Sequence, residues 1–374
     1  MSAATAQPAA PPQTGPQDAA KSTGPTALPQ DIRVGVIGVG RMGADHVERL
    51  SRRIKGARVS VVSDYLRETA EKVSATAPGS RVVDTPQEVI TADDVDAVLI
   101  ASPGQFHRDQ VLACIAAGKP VLCEKPLAMN PSDAYDVVRA EHEAGRAFVS
   151  LGFMRRFDAG YGELKDALDA GDLGTPLVLN CKHRNADVLP GFTDVHMVYD
   201  SAVHEIDAIS FFLEEPVVSV QTLTGRSSEN APDGLSDPML LLFRTASGTL
   251  VTDELYVSTH SGYEVRTELV GSKGTATIGQ ETGMVTTQQA GGRWGGAVPL
   301  DFRPRFLAAY DAEVQAWIAA VADGSFVALR SATAWDGYVA AAACEAAEAS
   351  LTADGAVEVT LLEQPGTEAG RRGH

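Results

Sequence analysis

The sequence predicts an α/β domain with a parallel sheet, followed by an α+β domain with a large, mostly antiparallel open sheet. Three observations predict this order. In the first part of the chain, short apolar strands alternate with helices of about 10–15 residues, which is typical of βαβ units. After residue 152 the pattern changes to longer strands separated by turn residues. The 374 residues are 44% hydrophobic and 21% charged, which is enough apolar material for two cores.

The charge of the chain limits its partners. Asp and Glu number 49 against 31 Lys and Arg, so the formal net charge is −18. An acidic protein repels phosphate backbones, and we therefore expect no nucleic acid partner. No apolar run is long enough to span a membrane, and no secretory signal pattern opens the chain. Four cysteines, Cys114, Cys123, Cys181 and Cys344, form no C-x-x-C pair, so we expect buried free thiols and a cytoplasmic protein.

Composition also predicts where order begins and ends. Residues 1–30 are rich in Ala, Pro, Gln, Thr and Gly and almost lack large apolar side chains, which predicts a disordered extension. A flexible tail is predicted over 364–374 for the same reason. We assign residues 31–152 to the first domain and residues 153–363 to the second, whose closing helices are free to pack back on the first domain.

The first domain is predicted to contain five strands and four helices in alternation. Each strand is a short run rich in Val, Ile, Leu or Cys, followed by a stretch of helical length. The strands are predicted over 32–37, 58–63, 96–101, 120–123 and 148–151. The helices are predicted over 44–53, 67–77, 106–117 and 131–144. Because helical crossovers connect parallel strands, the sheet is expected to be parallel.

The second domain is predicted to be richer in strands. Turn residues separate six stretches of strand character, over 176–182, 217–224, 239–244, 249–257, 264–270 and 276–278. Their succession is typical of a large, mostly antiparallel sheet. Helices are predicted over 162–170, 200–213, 306–321 and 332–350.

A glycine motif directly follows the first strand. Gly38, Gly40 and Gly43 form G-x-G-x-x-G between a strand and a helix, which is the context in which this motif binds a dinucleotide. The glycines allow a tight turn and a close approach to a pyrophosphate, and the helix N-terminus attracts the phosphate charge. Asp64 ends the second strand, where an acid accepts hydrogen bonds from ribose hydroxyls and repels the 2′-phosphate of NADP. The motif therefore predicts a Rossmann domain that binds NAD, although Arg67 is close enough to pair with a 2′-phosphate.

A second motif, Glu124-Lys125-Pro126, follows the strand that ends at residue 123. In an open parallel sheet, ligands bind beyond the carboxyl ends of the strands, so we expect Lys125 near a bound cofactor. A solvated loop lysine is the alternative interpretation. Pro126 fixes the turn, and the peptide bond before it can be cis or trans.

Three polar residues, Asp200, His204 and Asp207, lie on a predicted helix with strongly apolar flanking residues, and their spacing predicts that they share one face. A neutral imidazole can take a proton from an alcohol, and a neighbouring carboxylate can orient it, so acid–base catalysis is one interpretation. A hydrogen-bonded structural histidine is a second, and a metal site completed by His183 is a third. The dinucleotide domain favours the first, because nicotinamide carries redox chemistry without a metal. We therefore expect no metal.

The order of these motifs resembles the glucose–fructose oxidoreductase/inositol dehydrogenase (Gfo/Idh/MocA) family over residues 32–350. The glycine motif comes first, then Glu-Lys-Pro, then Asp-x-x-x-His-x-x-Asp in a strand-rich second domain. Within the family, further strings are similar to those of bacterial myo-inositol 2-dehydrogenases. They are GFMRRFD at 152–158, HRN at 183–185, VHEID at 203–207, LYV at 255–257, RFLAAYD at 305–311 and TAWDGY at 333–338.

The resemblance implies NAD-dependent oxidation of a cyclitol secondary alcohol, myo-inositol to 2-keto-myo-inositol (scyllo-inosose), by hydride transfer to nicotinamide. It implies that His204 is the base, that Lys125 hydrogen-bonds the reacting oxygen and that Asp200 orients these groups. The cofactor-binding residues it implies are Gly38, Gly40, Met42, Gly43, Asp64, Glu124 and Lys125. The substrate-binding residues it implies are Arg155, His183, Asn185, Asp207 and Tyr263. Relatives commonly assemble through the second sheet, so a homo-oligomer, tetramer or dimer, is expected.

The pocket leaves alternatives open. Phe302 stands where similar enzymes carry tryptophan, and the loop 187–198, which contains His196, differs among relatives. Scyllo-inositol, another cyclitol or a sugar such as glucose is therefore an alternative substrate. A protein that binds NAD without catalysis is a further alternative. Tyr310 and Trp335 are assigned to packing, because aromatic residues on helices are usually core.

Overall fold

The computed structural model describes residues 31–279 and 299–366. The predicted disordered extension over 1–30 and residues 367–374 of the predicted tail lie outside the described residues. No helix in the two described ranges is long and apolar enough to cross a membrane.

The first sheet has six strands, all parallel. They are β1 (Ile32–Ile37), β2 (Ala57–Ser63), β3 (Arg81–Val82), β4 (Ala97–Ile100), β5 (Val121–Glu124) and β6 (Val149–Gly152). Their order in the sheet is β3-β2-β1-β4-β5-β6. Strands β2 and β3 are added on one side of β1, and β4 to β6 are added on the other side. Every residue of β4 and β5 is buried, because helices cover both faces of the sheet. The predicted parallel sheet is confirmed.

Five helices accompany this sheet: α1 (Arg41–Arg52), α2 (Arg67–Ser74), α3 (Pro86–Thr91), α4 (His107–Ala116) and α5 (Pro131–Ala144). Local capping fixes several of their ends. Thr85 and Glu88 form a capping box at α3, and the Asn130 side chain accepts a hydrogen bond from the backbone N–H of Asp133 at α5. The sequence analysis missed β3 and α3, because two and six residues are too few for a periodic pattern.

The second sheet has seven strands and is mostly antiparallel, as predicted. They are β7 (Pro176–Arg184), β8 (Val217–Thr224), β9 (Met239–Thr245), β10 (Leu250–Tyr256), β11 (Glu264–Gly271), β12 (Thr275–Ile278) and β13 (Val357–Glu358). The order is β12-β11-β7-β10-β9-β8-β13, in which only the β7–β10 pair is parallel among the described strands. Burial alternates along β9, β10 and β11, so one face packs on the core.

Five helices complete the described chain: α6 (Ala159–Asp169), α7 (Asp194–His196), α8 (Val203–Leu213), α9 (Phe302–Asp323) and α10 (Ala334–Ser350). The single helix predicted over 200–213 is wrong at its start, because a π-helical turn, Met197–Ala202, precedes α8. Helix α9 packs Val314 and Trp317 into the core formed by the first sheet and α1. This contact brings the start of α9 beside the carboxyl end of the first sheet.

Candidate active site

A cleft of about 500 Å³ lies between the carboxyl end of the first sheet and the second sheet. Its walls come from the start of α1, the end of β5, the end of β7, the π-helical turn, α8 and the start of α9. The structure brings eight of the predicted site residues to this cleft: Met42, Glu124, Lys125, His183, Asn185, Asp200, His204 and Tyr263. Residues separated by more than 200 positions in the chain therefore face one volume.

The glycine turn at the edge of the cleft has the geometry that a pyrophosphate requires. Gly38 has φ +79°, and a Cβ there would lie 2.6 Å from the backbone nitrogen of Ser102. A Cβ on Gly43 would lie 1.9 Å from the carbonyl oxygen of Gly38. A Cβ on Gly40 would meet nothing within 4 Å, so open space adjoins the first backbone N–H groups of α1. The turn therefore fits a bound dinucleotide.

Asp64 lies at the carboxyl end of β2 beside this turn. Its Oδ2 accepts a hydrogen bond from the Val39 backbone N–H at 2.8 Å, and its Oδ1 accepts one from Leu66 at 2.9 Å. Each oxygen keeps a lone pair for a ribose hydroxyl. Arg67, the residue that could have bound a 2′-phosphate, pairs instead with Glu71 at 2.9 Å and with Asp84. These contacts fit NAD rather than NADP.

Lys125 and Asp200 meet at the floor of the cleft. Lys125 Nζ donates a hydrogen bond to the backbone carbonyl of Asp200 at 3.1 Å and lies 3.7 Å from its Oδ1. The peptide bond between Lys125 and Pro126 is cis. The solvated-loop interpretation of Lys125 is wrong, because the side chain is only 19% exposed.

His204 presents an imidazole to the same cleft. The residue is 8% exposed, and its Nδ1 is buried without a hydrogen-bond partner among the described residues. Burial holds the pKa of His204 well below the ordinary histidine value, and the charges of Lys125 and Arg155 lower this pKa further. The imidazole is therefore unprotonated at neutral pH and able to accept a proton.

Two predicted pocket residues do not line the cleft. Arg155 is 2% exposed and turns inward, where its guanidinium pairs with Glu205 and contacts His183 Nδ1 at 3.2 Å. Arg155 therefore reaches the cleft only indirectly, through its contact with His183. Met154, its neighbour, lines the cleft in its place.

Asp207 is the second of these two residues. It is 2% exposed, and its carboxylate accepts hydrogen bonds from Arg156 at 2.6–3.1 Å. An α-helix turns by about 100° per residue, so a spacing of three rotates Asp207 by about 60° from the direction of His204. That rotation aims it at Arg156, which also pairs with Asp336 at 3.0 Å.

Some lining residues were not predicted. Tyr310, which had been assigned to packing, lines the cleft and stands edge-on to His46 at 5.9 Å. Phe302, which the sequence analysis had already placed at the pocket, also lines it, with the Arg41 guanidinium 5.3 Å from its ring centre. The family-like string RFLAAYD at 305–311 contains Tyr310 and could have indicated a role in the pocket. An aromatic residue on a helix does not by itself show whether its side chain faces the core or a cleft.

The loop 187–198 contributes to the cleft only in part. Asp187, Val188, Leu189 and Phe192 line it. His196 does not, and its Nδ1 accepts a hydrogen bond from the Thr193 backbone N–H at 3.1 Å. In the described ranges, no cluster of three or more His, Cys, Asp or Glu side chains is placed to hold a metal ion.

The chain is similar to known oxidoreductases along nearly its whole described length. A family model for the oxidoreductase family with an NAD-binding Rossmann fold matches residues 32–153, and one for the GFO/IDH/MocA C-terminal domain matches residues 161–277. Inositol 2-dehydrogenase of Mycolicibacterium smegmatis is 51% identical over 338 residues, covering 89% of this chain and 98% of that protein. Inositol 2-dehydrogenase of Rhodococcus erythropolis is 48% identical, covering 89% and 96%.

Solved structures give the same result. The crystal structure of myo-inositol dehydrogenase from Lactobacillus casei in complex with NAD(H) and myo-inositol has a TM-score of 0.85 and 32% identity, covering 90% of this chain and 99% of that one. The two matching family models and the identity to these relatives establish the relationship. This chain belongs to the Gfo/Idh/MocA family of oxidoreductases and carries that family's NAD-binding Rossmann domain.

Proposed function

We propose that this chain is an NAD-dependent dehydrogenase that oxidises a cyclitol secondary alcohol, converting myo-inositol to 2-keto-myo-inositol (scyllo-inosose). The carrying observation is that a neutral histidine and a lysine, His204 and Lys125, line one cleft beside the glycine turn. The names of the relatives and the myo-inositol bound to the Lactobacillus casei enzyme support the substrate class.

In the proposed reaction, one hydrogen leaves the C–H bond as a hydride and another leaves the O–H bond as a proton. Bound NAD supplies the two-electron acceptor, which takes a hydride from the carbon that carries the hydroxyl. His204 accepts the hydroxyl proton, and Lys125 donates a hydrogen bond to the same oxygen as negative charge develops on it. Asp200 holds Lys125 through its backbone carbonyl and carboxylate.

The remaining assignments follow from what each side chain can offer. We assign hydroxyl binding to His183, Asn185 and Tyr263, whose nitrogen and oxygen atoms suit a ligand with many hydroxyls. Cofactor binding is assigned to seven residues: Gly38, Gly40, Met42, Gly43, Asp64, Glu124 and Lys125.

The test is a spectrophotometric assay of nicotinamide reduction with a panel of polyols. Purified protein is mixed with NAD or NADP and with myo-inositol, scyllo-inositol or glucose. We expect reduction with NAD and myo-inositol and little with NADP. A higher kcat/KM for scyllo-inositol or glucose would replace the substrate within the same class of reaction. NAD binding without turnover of any polyol would contradict the proposed activity.

Two variants test the roles of the reacting groups. We expect His204→Gln and Lys125→Met to lower kcat by about 100-fold or more while NAD binding persists, because proton transfer and charge stabilisation act in the transition state. The matched controls are the exposed His142→Gln and Lys72→Met. A kcat within a few-fold of the parent would contradict the assigned roles.

We also propose a homo-oligomer, a tetramer or a dimer, formed through the open face of the second sheet, and a cytoplasmic location. All four cysteines are free and buried, which suits a reducing compartment. The outward face of the sheet supports the assembly, and its test is given in the Discussion.

A further inference from the structure

A buried chain of side chains leads from the surface of α9 to the cleft, and the chemistry above does not use it. His46 and Arg49 stand one turn apart on α1, and each is 1% exposed. His46 Nε2 lies 2.7 Å from Glu124 Oε1, and Arg49 Nη1 lies 3.1 Å from His46 Nδ1. Arg49 in turn donates to Asp311 Oδ1 at 2.7 Å. This row of hydrogen-bonded side chains therefore ends on the carboxylate of Glu124, which lines the cleft.

The donors in this chain fix the state of the imidazole. A guanidinium can only donate, so His46 Nδ1 accepts from Arg49. The single ring proton then resides on Nε2 and is donated to Glu124. A protonated His46 would direct an N–H at the Arg49 N–H, which the 3.1 Å contact opposes. Asp45 and Asp311 hold Arg49 in place, each at 2.7 Å.

The hydrogen bond from His46 decides the charge of Glu124. Burial works to raise the pKa of Glu124, but the hydrogen bond from His46 and the nearby charge of Lys125 work against it, and the pKa lies below the ordinary glutamate value. Because Oε1 is taken by His46, Oε2 is the oxygen left for a ligand in the cleft.

We propose that Asp311, Arg49 and His46 form a positioning chain that holds Glu124 as a fixed, negatively charged hydrogen-bond acceptor for bound NAD. This inference rests on the proposed cofactor role of Glu124. His46 and Arg49 touch neither substrate nor cofactor in this scheme, and they act through Glu124. An oriented acceptor beside Lys125 would select the amide N–H groups of the cofactor over water.

Four other titratable groups lie around Glu124, and the pKa of each is shifted in the direction that favours its neutral form. Burial raises the pKa of the Cys123 thiol and of the Tyr310 hydroxyl on α9 well above their ordinary values. Burial and the charge of Glu124 raise the pKa of Glu313, also on α9, and burial lowers the pKa of His107 on α4. Comparing His46→Phe with the wild type therefore isolates what the contact between His46 and Glu124 contributes to any pH response.

The experiment measures NAD binding directly by titration calorimetry, without substrate, at about pH 6 and about pH 8. His46→Phe keeps a ring against Tyr310 but removes the N–H donor. Its Glu124 then titrates at higher pH, so we expect NAD binding about tenfold weaker at the lower pH than at the higher one. The wild type and His46→Gln, whose amide retains a donor, should bind equally well at both. Exposed His142→Phe is the control.

A second comparison separates positioning from mere packing. In a Glu124→Gln background, His46→Phe should change the Kd for NAD by less than about twofold, because the group it acts through is gone. An equal loss in both backgrounds, or a wild-type pH profile for His46→Phe, would overturn the proposal. If His46→Phe does not fold, His46→Asn, whose amide is too short to reach Glu124, replaces it. These measurements use NAD without a polyol, so they still test the role of His46 if the proposed substrate is wrong.

Discussion

At the scale of the residue, Asp64 is the side chain to which we assign the choice between NAD and NADP. Its carboxylate accepts two backbone hydrogen bonds at 2.8 and 2.9 Å and is thereby held beside the glycine turn. A fixed carboxylate accepts from the two ribose hydroxyls of NAD and repels a 2′-phosphate. Arg67 does not offset this repulsion, because Glu71 and Asp84 already occupy its guanidinium.

We therefore expect Asp64→Ser to lower kcat/KM for NAD by about ten- to 100-fold, because hydrogen bonds to a charged group contribute about 1.5–3 kcal/mol. The ratio of kcat/KM with NAD to kcat/KM with NADP should fall as well. The substitution should not create a preference for NADP while Arg67 stays paired. The measurement is kcat/KM with both cofactors, and exposed Asp109→Ser is the control. An unchanged ratio of the two values would contradict the assignment of Asp64.

At the scale of the element, strand β10 has a charged residue type, Asp253, at one of its core-facing positions. Its alternate residues face the core, and Asp253 stands among them, fully buried between Cys181 and Leu241 of the neighbouring strands. Neither carboxyl oxygen has a hydrogen-bond partner among the described residues. Burial and the nearby charge of Glu205 raise the pKa of Asp253 well above the ordinary value. The folded protein therefore holds this side chain protonated.

This protonation makes stability depend on pH. A carboxyl with a higher pKa in the folded state binds more protons when folded, so its contribution is complete below the unfolded pKa and is lost as pH rises toward the folded one. Relative to Asp253→Asn, the wild type should lose up to about 1.4 kcal/mol of unfolding free energy per pH unit above about pH 4. Urea unfolding of both proteins at several pH values measures the difference. Parallel stability curves would show that Asp253 does not titrate in this way.

At the scale of the whole molecule, the outward face of the second sheet supports the proposed oligomer. Leu242, Thr252, Asn180 and Glu268 stand side by side across four adjacent strands, and all are partly exposed in the described single chain. Leu242, Thr252 and Asn180 carry no charge, and the ion pair of Arg184 with Glu254 lies further along β7 and β10 on the same face. A face that combines an uncharged row with charges at its margin suits self-association across a two-fold axis.

Light scattering should give a mass of two or four chains for the wild type. Leu242→Arg places a charge at the centre of this face, and like charges would meet across the axis, so we expect a smaller assembly with unchanged circular dichroism. Leu329→Arg, at a fully exposed position away from the sheet, is the control. A Leu242→Arg protein of wild-type mass would contradict an interface at this face.

Local patterns were sufficient for much of the fold. Apart from the two-residue strands β3 and β13, the strands of both sheets follow from apolar and alternating runs. The glycine turn follows from Gly38, Gly40 and Gly43, because backbone sterics act between near neighbours. The π-helical turn before α8 was missed, because a helical pattern does not report a local change of pitch. Asp253 and His46 were missed as well, because a sequence does not show which polar residue is buried.

The sequence by itself determined the order of domains, the dinucleotide turn and the identity of the residues at the centre of the cleft. These depend on residue type and short spacing. Tertiary structure alone decided that Arg155 and Asp207 turn away from the cleft, that Tyr310 lines it, and that His46 reaches Glu124. The reason is that each of these outcomes depends on partners far along the chain. Only the packed molecule fixes which of them a side chain meets.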